Sequence, residues 1–322
     1  MERTKSTLSA DLAALLVVFI WGVNFVFVKA ALAEFNLYAF VFVRYAAMLG
    51  LGWTVVAARG TAHGELRAVV ADRRQLLLAA VLGFSLYIPL SMFGLSYTTA
   101  FSNSLLIALA PLFMAVLLWI LRSEAISRRH LLGLALALAG TVLLVSDALA
   151  SGQAGLGLGD LISVLAALFY AGYNVANKPL VGRHSAAVVT TLTLTLGALP
   201  VMLACVPGLL VQDWARVTFW GWAALGFSAV FPVYFAWTLW GWANARVGVA
   251  RTSLFMYLVP VFGGAAAWLL GQEGFTPLKL AGAGVILAAL AVPRLSLGES
   301  GLAPYESFRR RTLSIAQRSG SK

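Results

Sequence analysis

Long apolar stretches, each closed by a short polar or glycine-containing break, follow one another along almost the whole chain. The pattern predicts helical spans at 11–33, 36–58, 74–93, 97–121, 129–147, 159–180, 186–210, 217–239, 246–270 and 276–296. An apolar run of about eighteen residues or more can cross a hydrocarbon core of roughly 30 Å as helix. A water-facing domain of 322 residues could not hide so many helices that are apolar on every face. The longest break, residues 59–74, leaves no room for a soluble domain. The short basic start (Arg3, Lys5) leads into a run too long for the core of a signal peptide, so that run reads as the first span. The expected class is an all-α membrane protein of ten transmembrane helices, followed by a polar tail over 297–322.

The apolar pattern repeats internally at a gapless offset of 149 residues. Asp11 maps onto Asp160, Trp21 onto Tyr170, Lys29 onto Lys178, Pro111 onto Pro260, Trp119 onto Trp268, Glu124 onto Glu273 and Gly133 onto Gly282. The expected units are therefore 1–147 and 148–296, each of five spans. An odd number of crossings turns the second copy upside down. Inverted repeats are a recurring design of secondary transporters, with the substrate site near the bilayer midplane where the halves meet.

Charge agrees with this layout. Only 11% of residues are charged and 61% are hydrophobic, with a mean hydropathy of +0.89. The basic excess, 23 against 12 acidic residues, would point to nucleic acid in a soluble protein. Its distribution excludes that partner. With both termini on one side, that side carries 17 Lys and Arg residues and the other side 2, Arg216 and Lys279. The bias places both termini in the cytoplasm, in the plasma membrane of a bacterium. The tail cluster Arg309, Arg310 and Arg311 would rest on anionic headgroups, so membrane lipid is an expected partner. Cys205 lies within an apolar run and reads as a small buried hydrophobe.

Four cations remain inside predicted spans: Lys29, Arg44, Lys178 and Arg251. Charge within a bilayer is costly and marks function unless the side chain can snorkel to the interface. Lys29 and Lys178 sit toward opposite ends of their spans and are expected at the two mouths of a path, as gates. Snorkelling is an equal reading for Lys178, because Pro179 marks a helix ending. Trp21, Phe25 and Lys29 share a helix face with Asn24 beside them, and Tyr170, Asn174 and Lys178 form the matching stripe. Interhelical hydrogen bonding is the plainer role for Asn24, Asn174 and Asn177. Pro111 and Pro260 lie inside spans 4 and 9, where a missing N–H frees a carbonyl that needs a partner or a wet cavity. The expected lining is Trp21, Asn24, Arg44, Tyr97, Asn103, Pro111, Tyr170, Asn174, Arg251, Tyr257 and Pro260.

No Asp or Glu falls in the middle third of a span, so a buried carboxylate that trades a proton for an organic cation is not expected. Embedded cations instead point to neutral, zwitterionic or anionic solutes, with a carboxylate oriented by the cations. There is no glycine-rich phosphate loop, His-Glu-x-x-His pair or Gly-x-Ser-x-Gly elbow. The histidines, His63, His130 and His184, fall in predicted loops or, for His130, at the loop edge of a span. No catalytic residue, metal or cofactor is expected, and an ATP-driven pump would need a separate subunit.

The segment Trp21-Gly22-Val23-Asn24-Phe25-Val26-Phe27-Val28-Lys29 resembles the first-helix signature of EamA-type carriers of the drug/metabolite transporter superfamily. Arg44-Tyr45 resembles the Arg-aromatic pair of their second helix. The stretches from Leu95 to Phe113 and from Leu258 to Glu273 resemble their paired fourth- and ninth-helix motifs. Asn174-Val175-Ala176-Asn177-Lys178 is similar to a segment of the cysteine/O-acetylserine exporter branch. The resemblance implies ten helices in inverted repeat and alternating access, commonly for export of amino acids or related metabolites. Fold resemblance says little about substrate, and Thr193 stands where a symmetric clamp would repeat Arg44. The leading expectation is an exporter of small polar metabolites, working as a monomer or homodimer. A broad exporter of hydrophobic drugs or dyes is the alternative; a channel and a non-transporting scaffold or sensor are weaker readings.

Overall fold

The computed structural model describes residues 2–61, 63–98, 100–124, 126–150, 157–270 and 276–292. The described residues are helical throughout, with no strand. Helices α1 (Glu2–Leu32) and α2 (Leu37–Ala58) are followed by a short surface helix, α3 (His63–Ala71), and by α4 (Arg73–Tyr97). Then come α5 (Ala100–Ile107), α6 (Ala110–Ile120), α7 (Arg128–Ala150), α8 (Leu158–Arg183) and α9 (Ala186–Val211). After α10 (Phe219–Val247) the chain runs through α11 (Val249–Ser253), a tighter 3₁₀ stretch (Leu254–Leu258), α12 (Val259–Leu269) and α13 (Pro277–Ala291).

Seven stretches among the described residues are long and apolar enough to cross a membrane: Thr7–Leu32, α2, α4, α8, α9, α10 and Val249–Ala266. The other expected spans are helical too, but not all as single rods. Residues 100–120 form two helices instead of one, and α13, with 15 residues, is shorter than the roughly 20 of a straight crossing. Glu273, Arg294 and the tail lie outside the described residues.

Proline explains the break. Pro111 and Pro260 each occupy the first turn of a new helix, α6 and α12, where a missing N–H costs nothing. The expected mid-helix kinks are therefore helix starts. The elements recur at the same offset as the sequence: α5 and α11 start at Ala100 and Val249, α6 and α12 at Ala110 and Val259. α4 and α10 each contain a π-helical stretch, Val81–Tyr87 and Val230–Phe235.

Packing is mostly between the two sequence halves. α1 lies against α10 and α12, α8 against α4 and α6, α2 against α9, and α7 against α13. Each half thus lends its apolar faces to the other, and neither has a core of its own. Small residues allow the close approaches. A Cβ on Gly22 would stand 2.7 Å from the Phe262 Cβ and the Val259 carbonyl, and one on Gly140 would stand 2.8 Å from the Gly282 carbonyl of α13. Gly22→Val is expected to cost about 1–3 kcal/mol through overpacking. Gly226→Ala, which meets nothing within 4 Å, should stay within about 0.5 kcal/mol. Thermal unfolding of the purified variants in detergent checks both.

Candidate functional site

At the middle of the bundle lies a cavity of about 40 Å³. Its wall comes from α1 (Trp21, Asn24, Phe25), α2 (Arg44), α4 (Tyr87, Ile88, Ser91, Met92), α5 (Ile107) and α8 (Tyr170). α10 (Pro232, Val233, Trp237), Met256 and Val259 complete it. At about one water per 10–15 Å³, the space holds about three waters. A whole metabolite needs the helices to move apart.

The π stretches decide which polar groups face this space. In the first, Ile88 N–H donates to the Gly83 carbonyl five residues back, which releases the Phe84 carbonyl from its α-helical partner. The Tyr45 hydroxyl donates to that Phe84 carbonyl. In the second, Ala236 N–H donates to Phe231 O and not to Pro232 O, and the Trp21 indole N–H takes the Pro232 carbonyl at 2.6 Å. Pro232 itself has no N–H for Ser228 O, four residues earlier. The Arg44 Nε–H donates to that oxygen at 3.1 Å. Neighbouring residues on α2, Tyr45 and Arg44, thus each satisfy a carbonyl that lacks its helical donor, one through a π stretch and one through a proline.

Arg44 is 3% exposed and has no carboxylate partner among the described residues. One terminal N–H contacts the Met92 sulfur at 3.1 Å, and the guanidinium carbon lies 5.7 Å from the Phe40 ring centroid. Around the cavity the rings form a continuous wall. Trp21 stands edge-on to Tyr170 at 5.8 Å, and Tyr87 lies 4.6 Å from Tyr170 and stacks on Trp237 at 5.8 Å.

The end of the bundle that carries Asp11 is closed in layers. Asn174 Oδ1 accepts from Trp240 Nε1 at 2.7 Å and from Asn244 Nδ2 at 3.1 Å, and the Thr252 hydroxyl donates to Asn244 Oδ1. Beyond them Arg251 pairs with Asp11 at 2.7 Å and Lys178 with Glu124 at 2.6 Å. Glu124 also accepts from the Val249 and Ala250 N–H groups, both at 3.0 Å, and so caps α11. Gly248, with φ of +87°, makes the turn beneath it, a conformation that side chains disfavour. At the opposite end Lys29 donates to the Leu95 and Thr98 carbonyls at 3.1 and 2.8 Å, where α4 ends. The Thr98 hydroxyl reaches Asp160 at 2.8 Å, and the Asn103 amide bonds Ser163 Oγ at 2.9 Å.

Of the residues expected to line a path, the fold brings Trp21, Asn24, Arg44 and Tyr170 to the cavity. Asn174 sits a turn behind Tyr170 in the sealing network, and Asn103 lies buried beside Ser163. Arg251 is in an ion pair away from the cavity, Tyr97 is 63% exposed, and Tyr257 is buried next to the lining residue Met256; Lys178, expected as a gate, is paired with Glu124. Pro111 and Pro260 are buried but do not line the cavity; their neighbours Ile107, Met256 and Val259 do. Tyr87, Ser91, Met92 and Trp237 went unforeseen. Their signal was the pair of prolines, Pro89 and Pro232, inside long apolar runs.

The EamA-like transporter family matches residues 8–146 and again residues 157–293. The chain belongs to the EamA-like transporter family. It is a multi-pass membrane transporter. A "Probable terminal-alkyne amino-acid exporter" of Streptantibioticus cattleyicolor is 28% identical over 73% of this transporter and 78% of its own length. "Probable amino-acid metabolite efflux pump" proteins of Salmonella typhimurium and Escherichia coli are 26% and 27% identical, each over 87% of this chain and 92% of their own. A crystal structure at 20% identity superposes with a TM-score of 0.73 over 89% of this transporter and 96% of that chain, a likeness of fold.

Breaking the Asp11–Arg251 pair strands a partly buried charge, since the two side chains are 16% and 31% exposed. Arg251→Asp is expected to cost about 1–2 kcal/mol, and the double swap Asp11→Arg/Arg251→Asp to regain most of it. Thermal unfolding of Asp11→Arg, Arg251→Asp and the double swap gives the coupling.

Proposed function

We propose that this EamA-like transporter is a secondary active carrier that exports small polar metabolites, amino acids or their derivatives, by alternating access. One observation carries the reading: a buried cation without a counter-charge, Arg44, lines a small cavity where helices of both sequence halves converge. A packing core has no use for such a group, whereas a solute site does. In this reading ten crossings form two inverted units, 1–147 and 148–296, with both termini in the cytoplasm of a bacterium. The recurrence of α5, α6 and the π stretches at one offset supports it, and so does the exchange of packing partners between halves. The basic bias supports the orientation. The names of the relatives point to the same solutes.

In this arrangement the Asp11 end faces the cytoplasm and its ion pairs hold that gate shut. Lys178 and Glu124 belong to this gate, and Lys29 to the mouth across the membrane. Trp21, Asn24, Arg44 and Tyr170 would hold solute, with Tyr87 and Trp237 as walls. Because both units lie in one chain, a monomer is sufficient.

The aromatic wall gives the drug-exporter reading its one supporting observation. Flux in proteoliposomes separates the two. Labelled amino acids from a panel should enter saturably and exchange against unlabelled solute, and a pH gradient tests coupling to protons. No counterflow across the panel, with reconstitution verified, would remove the amino-acid reading in favour of lipophilic compounds. Arg44→Ala should abolish flux while the protein remains in the membrane; normal flux would remove Arg44 from the site.

A further inference from the structure

Of the intramembrane cations, the structure neutralises all but one in the cavity region. Arg251 has Asp11, Lys178 has Glu124, and Lys29 binds carbonyls at an exposed helix end. Arg44 alone lines the cavity, and no Asp or Glu lines it with Arg44. A guanidinium carries five N–H donors in a rigid fork. One goes to Ser228 O and one to the Met92 sulfur, a weak acceptor. The other three meet no acceptor among the described residues. The same wall holds a group of opposite need: Asn24 is 6% exposed, and its Oδ1 receives no hydrogen bond.

We infer that the cavity is a monocarboxylate site: the solute's single carboxylate sits on the Arg44 guanidinium and a neighbouring N–H donor of the solute on the Asn24 Oδ1. The inference rests on the carrier reading above and deepens it, by naming what the site selects. Three features set the selection. The fork of free N–H groups matches two carboxylate oxygens in one plane. The cavity's net charge is one positive unit, so a second carboxylate would be left buried and unpaired, which is strongly unfavourable. No acidic side chain lines the cavity to receive a full cationic side chain, so an ammonium has only neutral acceptors, the Asn24 oxygen and the hydroxyls of Tyr170 and Ser91, and the ring faces of Trp21, Tyr170 and Trp237. The solutes that fit are neutral α-amino acids and small monocarboxylates with one donor next to the carboxylate. Dicarboxylates, lysine-like solutes and amides that lack the carboxylate do not.

Equilibrium binding tests this apart from transport. The purified full-length protein in chloride-free detergent buffer is unfolded thermally against L-valine, L-valinamide, L-aspartate and sodium chloride. L-Valine should raise the unfolding temperature saturably, and the other three should not. Arg44→Gln should weaken the half-saturating concentration by about 30-fold or more, as for removal of one partner of a buried charge pair. Arg44→Lys should retain a weaker response. Because a buried arginine can be needed for folding, Asn24→Asp supplies the second arm. It places a carboxylate in the same cavity as Arg44, so it should unfold at or above the wild-type temperature and lose the valine response. An equal response to valinamide or aspartate, a valine response that survives Arg44→Gln or Asn24→Asp, or none in the wild type would overturn the inference. Equal stabilisation by chloride would mark an inorganic-anion site and overturn it too. Valine binding through Arg44 without counterflow of any amino acid would sink the carrier reading alone. Counterflow that Arg44→Gln leaves unchanged would sink the monocarboxylate site alone.

Discussion

A carbonyl without a donor costs several kcal/mol in hydrocarbon, because no water can replace the lost bond. In this transporter three carbonyls are released next to the cavity, at Phe84, Ser228 and Pro232, by two π stretches and one proline. Tyr45, Arg44 and Trp21 supply the donors. Two of these side chains, Arg44 and Trp21, also line the cavity. Moving any of these helices means finding new donors for those oxygens, so the geometry of the cavity and the register of α4 and α10 are one property.

Charge follows the same logic at the bundle ends. Glu124 serves as both helix cap and ion-pair partner, tying α11 to α8 through Lys178. Arg251 ties the same region to the start of α1. These pairs sit where water can reach them, so they can form and break at modest cost. Arg44 is 3% exposed and has no carboxylate to pair with among the described residues, so it differs from the paired cations at the bundle end. The two halves also fill matching positions differently: Ser91 on the cavity wall corresponds to Trp240 in the closing layer. The indole fills space in the closing layer, whereas the serine leaves room at the cavity wall.

Much of the site was legible in the chain. Trp21, Asn24, Arg44 and Tyr170 stand out because polar and aromatic groups are rare in apolar runs and these recur at helical spacing. Tyr87, Ser91 and Trp237 were not legible, since a helical wheel assumes a constant turn and the π stretches shift every later residue onto another face. Arg251 was placed on the path because its partner is remote in sequence; Asp11 is 240 residues from Arg251. Pro111 and Pro260 carried a true signal with the wrong reading. They mark a break in the helix, but a proline at a helix start satisfies its own backbone and so exposes nothing.

The sequence by itself determined the membrane environment, the helical class, the internal repeat and the scarcity of buried acid. Each of these depends on composition and period, which local hydrophobicity and backbone chemistry set without reference to distant residues. Only the tertiary structure decided which cations are paired, how the two halves exchange packing faces, and which carbonyls are left for side chains. Those outcomes depend on distances between residues far apart in the chain, and in a low-dielectric interior a partner a few ångströms away decides whether a charge is a structural tie or an open site.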